Sequence, residues 1–389
     1  KSRLCSGTEQ PQMTPSDMPD GPSSAASPPP ERSTRALAVD AVGSLSAAMH
    51  LQQDGDQSMQ TTNPRLHRTA LLSLALALAL VGGGGVHAAE AKKLNVLFIG
   101  NSYTARHRLA TVVKAMAEAG NPGLTFDITQ VIYGGRRLVD HWRLGTQNYV
   151  RISELTVDEE KATIESLKKA IADDPKDKYA KGALKRHQGL LKGLEKQRKT
   201  WDIVVLQSYR DDVQGADSLY VEYAPRFAEL IKAQGARIVL YETTPHTQNA
   251  KPLTAAPDKR KAMSKARVIA ALANRIDATV VPMGLVAFRC QTERPDFTLR
   301  FINDAHLNHT MAYLTACTFY GAIFDRTPQG LAVDSITDIR FLDKDNKDKD
   351  RDGRPIKRTF AGKDLADLQR IAWKALTEFN SIRAKLPAK

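Results

Sequence analysis

The residues best suited to chemistry are a serine, a glycine pair, a glutamine and an aspartate–histidine pair. Ser102 follows residues 96–99, an unbroken apolar run of strand formers closed by Gly100 and Asn101. Gly134 and Gly135 follow a second strand-like stretch, Gln207 and Ser208 a third, and Asp304 and His306 lie in a polar loop ahead of an apolar helix. Ester hydrolysis by serine makes four demands. A base must take the hydroxyl proton, since a serine hydroxyl is otherwise a poor nucleophile. Histidine suits that task because its pKa lies near working pH. An acid or amide must orient the imidazole, and donors must face the oxyanion that forms. Residue by residue, plainer readings stand beside these. Ser102 can cap a helix, the glycine pair can be an ordinary turn, and a lone histidine is often structural.

The surrounding pattern decides whether these residues can meet. Residues 96–99, 201–208, 237–245 and 278–282 carry short buried-strand patterns, and residues 124–132 alternate apolar and polar as a strand does. Helical spacing runs through 106–119, 221–234, 259–275, 311–324 and 362–384. Strands alternating with helices predict an α/β fold with a mostly parallel sheet covered on both sides. In such sheets ligands sit outside the carboxyl ends of the strands. Ser102, Gly135, Gln207, Asp304 and His306 are then all expected on one rim. Ser102 also opens a helix, whose amino terminus favours negative charge. Residues 151–200 differ in composition. They are rich in Lys and Glu with helical spacing broken at Asp173-Asp174-Pro175, and predict a charged helical hairpin inserted in the domain, a solvated face more than a lid.

This order of blocks resembles the SGNH/GDSL hydrolase superfamily, in the branch whose first block reads Gly-Asn-Ser. Gly100-Asn101-Ser102-Tyr103 is similar to the first block, and implies Ser102 as nucleophile and, through its backbone N–H, as oxyanion donor. Gly134-Gly135 with Leu138, His141 and Trp142 is similar to the second, and implies Gly135 as a backbone donor. Leu206-Gln207-Ser208 stands at the third block, where most of the superfamily has Asn, so Gln207 is the implied amide donor. Asp304-Ala305-His306 stands at the last block and departs from it. The acid is expected three residues before the histidine, where this chain has Asn303. Either Asp304 or Asn303 would orient His306, or a backbone carbonyl would support a dyad. The resemblance spans about residues 94–325. It implies a flavodoxin-like three-layer α/β/α fold and ester hydrolysis with no cofactor and no metal. Secreted relatives often act on acetylated carbohydrate or on lipids. The expected activity is a secreted carbohydrate esterase acting on acylated carbohydrate or another small ester. A non-catalytic carbohydrate-binding protein on the same fold is the alternative. A nucleotide-binding reading lacks both the Gly-Lys-Ser/Thr ending and a Gly-x-Gly-x-x-Gly run.

Other stretches bear on location and charge. Residues 1–64 are rich in Ser, Pro, Gly, Gln and Asp and predict a disordered extension. Residues 65–91 combine Arg65 and Arg68, a short Leu/Ala-rich run and small residues, the pattern of a signal peptide. Met59 is the expected true start, and a secreted or periplasmic location follows. The apolar run is too short for a stable membrane span. Residues 92–389 are expected to form one SGNH-like domain carrying the 151–200 insertion. The chain holds 56 Lys and Arg against 43 Asp and Glu, a net charge of +13. That surface suits anionic partners such as acidic polysaccharide, but no nucleic-acid motif accompanies it. Cys290 and Cys317 either pair or remain two buried thiols. Asp348, Asp350 and Asp352 before Gly353 resemble the start of a calcium loop, although Thr359 stands where the bidentate Glu belongs. A solvated charged loop is the simpler reading there.

Overall fold

The computed structural model describes residues 92–209, 218–243 and 245–386. The expected extension at 1–64 and signal segment at 65–91 lie outside the described residues. In chain order the elements are β1 (Lys93–Gly100), α1 (Ser102–Ala105), α2 (Leu109–Gly120), β2 (Thr125–Ile132), α3 (Leu138–Arg143), α4 (Gln147–Val150), α5 (Val157–Asp173), α6 (Lys178–Gln197) and β3 (Ile203–Gln207). Then come α7 (Leu219–Ala233), β4 (Arg237–Glu242), α8 (Lys259–Ile276), β5 (Ala278–Pro282), α9 (Met283–Glu293), α10 (His309–Phe324), β6 (Ser335–Thr337), β7 (Lys357–Thr359) and α11 (Gly362–Ala384).

β1 to β5 form one parallel sheet in the order β2-β1-β3-β4-β5. This is the flavodoxin-like order, in which the chain reverses its direction of travel across the sheet between β1 and β3. Val96, Leu97, Phe98 and Ile99 are all fully buried, because β1 is flanked by β2 and β3 and covered on both faces. The strand period of two divides these side chains between two cores. Leu97 and Ile99 join Val204, Leu206, Phe227 and Ile269 on one face. Val96 and Phe98 join Val113, Val205, Tyr313 and Phe319 on the other. The sheet is thus the middle layer of an α/β/α sandwich, and α10, buried around nearly its whole circumference, is the central helix of the second face.

Two local features depart from the sequence pattern. The helix expected over 106–119 is broken: α1 stops at Ala105, and His107 and Arg108 take left-handed φ values of 58° and 49° before α2 begins. A left-handed non-glycine residue costs about 1–2 kcal/mol. The break turns Arg106 inward, toward Asp338 and Asp304. The charged stretch at 335–361 is likewise more than a loop. β6 and β7 pair antiparallel there, and the segment between them folds against the loop that carries His306.

The insertion forms the paired helices α5 and α6. They are fixed to the body by a buried polar knot. Glu160 accepts from Asn148 Nδ2 at 2.8 Å and pairs with His187 Nδ1 at 2.7 Å, while His187 Nε2 meets the Leu144 carbonyl at 3.0 Å. Cys290 and Cys317 are both buried and free, and burial pushes the Cys290 thiol up to about 12.

Candidate active site

The first strand ends at a glycine for a steric reason. A Cβ on Gly100 would lie 2.5 Å from Gln207 Oε1 and would also collide with the Thr104 hydroxyl. Asn101 follows, almost completely buried, and its side chain organises the turn. Its Oδ1 accepts from the Tyr103 N–H at 3.0 Å and so caps α1. Its Nδ2 donates to the Arg136 carbonyl at 3.0 Å and to the Ser208 carbonyl at 3.1 Å. Ser102 is therefore presented at the point where the sheet order reverses, on a turn fastened to its two neighbouring loops.

Ser102 Oγ lies 2.7 Å from His306 Nε2, and His306 Nδ1 lies 2.5 Å from Asp304 Oδ1. The same Asp304 oxygen accepts the His306 backbone N–H at 3.0 Å. A carboxylate can only accept, so Nδ1 carries the proton and Nε2 is free to accept from the serine. The Tyr103 ring stacks on the imidazole with centroids 5.2 Å apart, and its hydroxyl donates to the Ala305 carbonyl at 2.5 Å. Burial alone would raise the Asp304 pKa. The hydrogen bond and charge of His306 and the Arg106 guanidinium outweigh it and hold the carboxyl well below its usual range. Of the two candidate acids, only Asp304 is in contact with the imidazole. Asp304 orients His306, whereas Asn303 is exposed and makes no hydrogen bond to it.

Gly135 takes φ +65°, a conformation that favours glycine. Its turn is held beside Ser102 because the Tyr133 N–H donates to the Gly100 carbonyl at 3.0 Å and Asn101 grips Arg136. Among the described residues the backbone N–H groups of Ser102 and Gly135 make no hydrogen bond.

Gln207 does not fill the role expected of it. It is fully buried, and its Oε1 accepts from the Asn101 N–H at 2.7 Å and from the Thr104 hydroxyl at 3.1 Å. A backbone N–H at that distance needs an acceptor, which fixes the carbonyl end of the amide toward Asn101. The Nε2 end donates to the Ser208 carbonyl. Gln207 is a strut beneath the turn that carries Ser102, with its amide N–H₂ spent on the Ser208 carbonyl. His141 is similarly structural. It is fully buried, with Nε2 at 2.9 Å from the Gly100 carbonyl and Nδ1 at 3.0 Å from the Thr146 hydroxyl, and burial pushes it down to about 3.

The calcium-like stretch is also used differently. Asp350 Oδ1 accepts from the backbone of Asp352 and Arg354, both at 2.9 Å. Asp352 turns toward the loop that carries Asp304 and His306, accepting the Ile302 N–H at 2.9 and 3.0 Å and the Asn303 N–H at 3.4 Å. Asp348, Asp350 and Asp352 therefore do not converge. Among the described residues no group of three or more His, Cys, Asp or Glu could hold a metal ion. A cavity of about 380 Å³ lies against Asp352, lined by Phe301, His309, Arg354, Lys357 and Arg358, with neither Ser102 nor His306 in its wall.

Sequence reasoning missed Arg106 and Asp338, which carry no local signal, took Tyr103 only as part of the first block, and read Asp352 as a calcium candidate. No family model matches the chain, and no curated protein matches it in sequence. Two solved structures are similar to it. One is described as a candidate SGNH hydrolase from Slackia heliotrinireducens, with 17% identity over 60% of this chain and 100% of that one, at a TM-score of 0.36. The other is a gut microbial diltiazem-metabolizing enzyme, with 14% identity over 60% of this chain and 47% of that one, at a TM-score of 0.30. Neither likeness says which bond this chain acts on.

Proposed function

We propose that this chain is a serine hydrolase of the SGNH type that cleaves acyl esters, with O-acetyl groups on carbohydrate as its substrate class. The observation that carries the reading is the unbroken run from Ser102 Oγ through both nitrogens of His306 to Asp304 Oδ1. In the reaction Ser102 Oγ attacks the acyl carbon as His306 Nε2 takes its proton. The oxyanion meets the N–H groups of Ser102 and Gly135. Collapse expels the sugar alcohol, which receives the proton from His306. Water, deprotonated by the same nitrogen, then releases acetate and restores the serine. Asp304 holds the imidazole in the required tautomer throughout.

The carbohydrate assignment draws on the positive net charge of the sequence, which suits acidic glycans. The secretory pattern at 65–91 supports a reaction outside the cytoplasm. Among the described residues no helix is long and apolar enough to cross a membrane. Turnover of p-nitrophenyl acetate and of an acetylated polysaccharide by the wild type, abolished in Ser102→Ala at unchanged fold, is the expected result. Glycan binding without turnover, and without labelling of Ser102 by a fluorophosphonate, would instead establish a non-catalytic carbohydrate-binding protein.

A further inference from the structure

Arg106 plays no part in the steps just given, yet its side chain is 3% exposed and lies beside the candidate acid. Nε and Nη2 grip the two oxygens of Asp338 at 2.8 and 2.5 Å, and Nη1 donates to Asp304 Oδ2 at 2.8 Å. The Asp338 side chain is fully buried. Burying one cation and two carboxylates has a desolvation cost that such a cluster seldom recovers as net stability. The backbone break at His107 and Arg108, which aims Arg106 inward, adds strain on the same account. A costly arrangement that ends on Asp304 Oδ2 calls for a functional reason.

The reason lies in the spacing of the last block. Asp304 stands two residues before His306, so both of its bonds to that residue come from a single oxygen, Oδ1. One oxygen held leaves the carboxylate free to swing about its Cβ–Cγ bond. A guanidinium is a planar fork with fixed donor directions. With two of its nitrogens set by Asp338, the third fixes the plane of the Asp304 carboxylate through Oδ2. We infer that Arg106 and Asp338 are positioning residues that make an acid at this offset competent to orient His306. The guanidinium carbon of Arg106 also lies over the Phe301 ring, 5.1 Å from its centre, where the negative π face attracts the cation and helps hold the fork. Asp338 immediately follows β6, so the segment after α10 completes the site. The inference rests on the serine-hydrolase reading.

The test uses the full chain and the variants Arg106→Gln, Arg106→Lys and Asp338→Asn, with Ser102→Ala as the control for the reading itself. Steady-state turnover of p-nitrophenyl acetate is followed across pH. The charged groups facing the imidazole and its acid are Asp304, Arg106 and Arg351, whose Nε is 4.0 Å from Asp304 Oδ2. Arg106→Gln is expected to lower kcat about 10²-fold with little change in KM. Loss of a nearby positive charge eases protonation of the base, so its acid limb moves to higher pH. Asp338→Asn removes a negative charge, and its acid limb moves the opposite way. Arg106→Lys keeps the charge without the fork, so kcat falls while the limb stays. Limbs that move together, or a wild-type kcat in Arg106→Lys and Asp338→Asn while Ser102→Ala is inert, would overturn the inference and leave the hydrolase reading standing. A wild type that neither turns over esters nor labels at Ser102 overturns both. Should Arg106→Gln fail to fold, the two conservative variants carry the test.

Discussion

The Asn101 backbone N–H donates to Gln207 Oε1 at 2.7 Å, across neighbouring strands and 106 positions of sequence. The turn that presents Ser102 is thereby fastened to the end of β3 from below. Replacing Gln207 by Leu strands that N–H and the Thr104 hydroxyl, at a cost of about 1–3 kcal/mol for a buried unsatisfied group. The expected outcome is a lower melting temperature in thermal unfolding, with a kcat loss smaller than the about 10²–10³-fold of a missing oxyanion donor. A collapse of kcat at unchanged melting temperature would restore Gln207 to the oxyanion hole.

Gly135 is the second oxyanion donor in the proposed reaction. An alanine there must hold a φ of +65°, at about 1–2 kcal/mol, or shift the N–H. Gly135→Ala is expected to lower kcat about 10²-fold while KM changes little. Equal turnover by variant and wild type would remove this N–H from the mechanism.

Asp352 accepts the N–H groups of Ile302 and Asn303 and steadies the loop that carries Asp304 and His306. Asp352→Ala should reduce kcat about tenfold, well short of Ser102→Ala. Added calcium should leave wild type and variant alike unchanged. Restoration of the variant, or activation of the wild type, by calcium would revive the cation-loop reading.

Stability should fall as the solution is acidified from neutrality. His107 and His141 are pushed down by burial to about 4 and about 3 from the ordinary 6.5. Between those values and 6.5 the unfolded chain binds more protons than the folded one, so stability is complete above 6.5 and declines as pH drops toward 4. Asp304 and Asp338 are held below the usual carboxylate range, and their contribution is lost at still lower pH, beneath 3.8. Melting temperatures measured across this range should decline with acidification, and less steeply in His141→Gln. A flat profile would show that these imidazoles are not neutral in the folded protein.

The fold and the three central residues could be read from the chain because each depends on short-range pattern. Four consecutive apolar strand formers at 96–99 mark a central strand, and a serine just past its end has few places to go. Asp304 and His306 were legible as types, and the competition with Asn303 was settled only by distance. Gln207 shows the limit of this reading. A residue's position at a strand end gives its location, but the direction of its amide depends on which neighbour lacks an acceptor, here the Asn101 N–H. Arg106 lay hidden because helical spacing runs on through 106–119, and no glycine announces the left-handed residues that break it. Asp338 is 232 positions from Arg106, and nothing local marks it as a partner. Asp352 misled because an aspartate that folds its own turn resembles one that binds a cation.

The knot at Glu160 and His187 has a practical consequence for the paired helices α5 and α6. It pins their base to the body, while residues 172–176 at the far bend stand fully in solvent. The twenty residues of α6 span about 30 Å. The chain returns to the body just past that bend, with Asp177 paired to Arg143 at 2.9 Å and the Tyr179 ring under the Arg136 guanidinium next to Gly135, so an affinity tag, dye or solid support grafted there would crowd the turn beside Ser102.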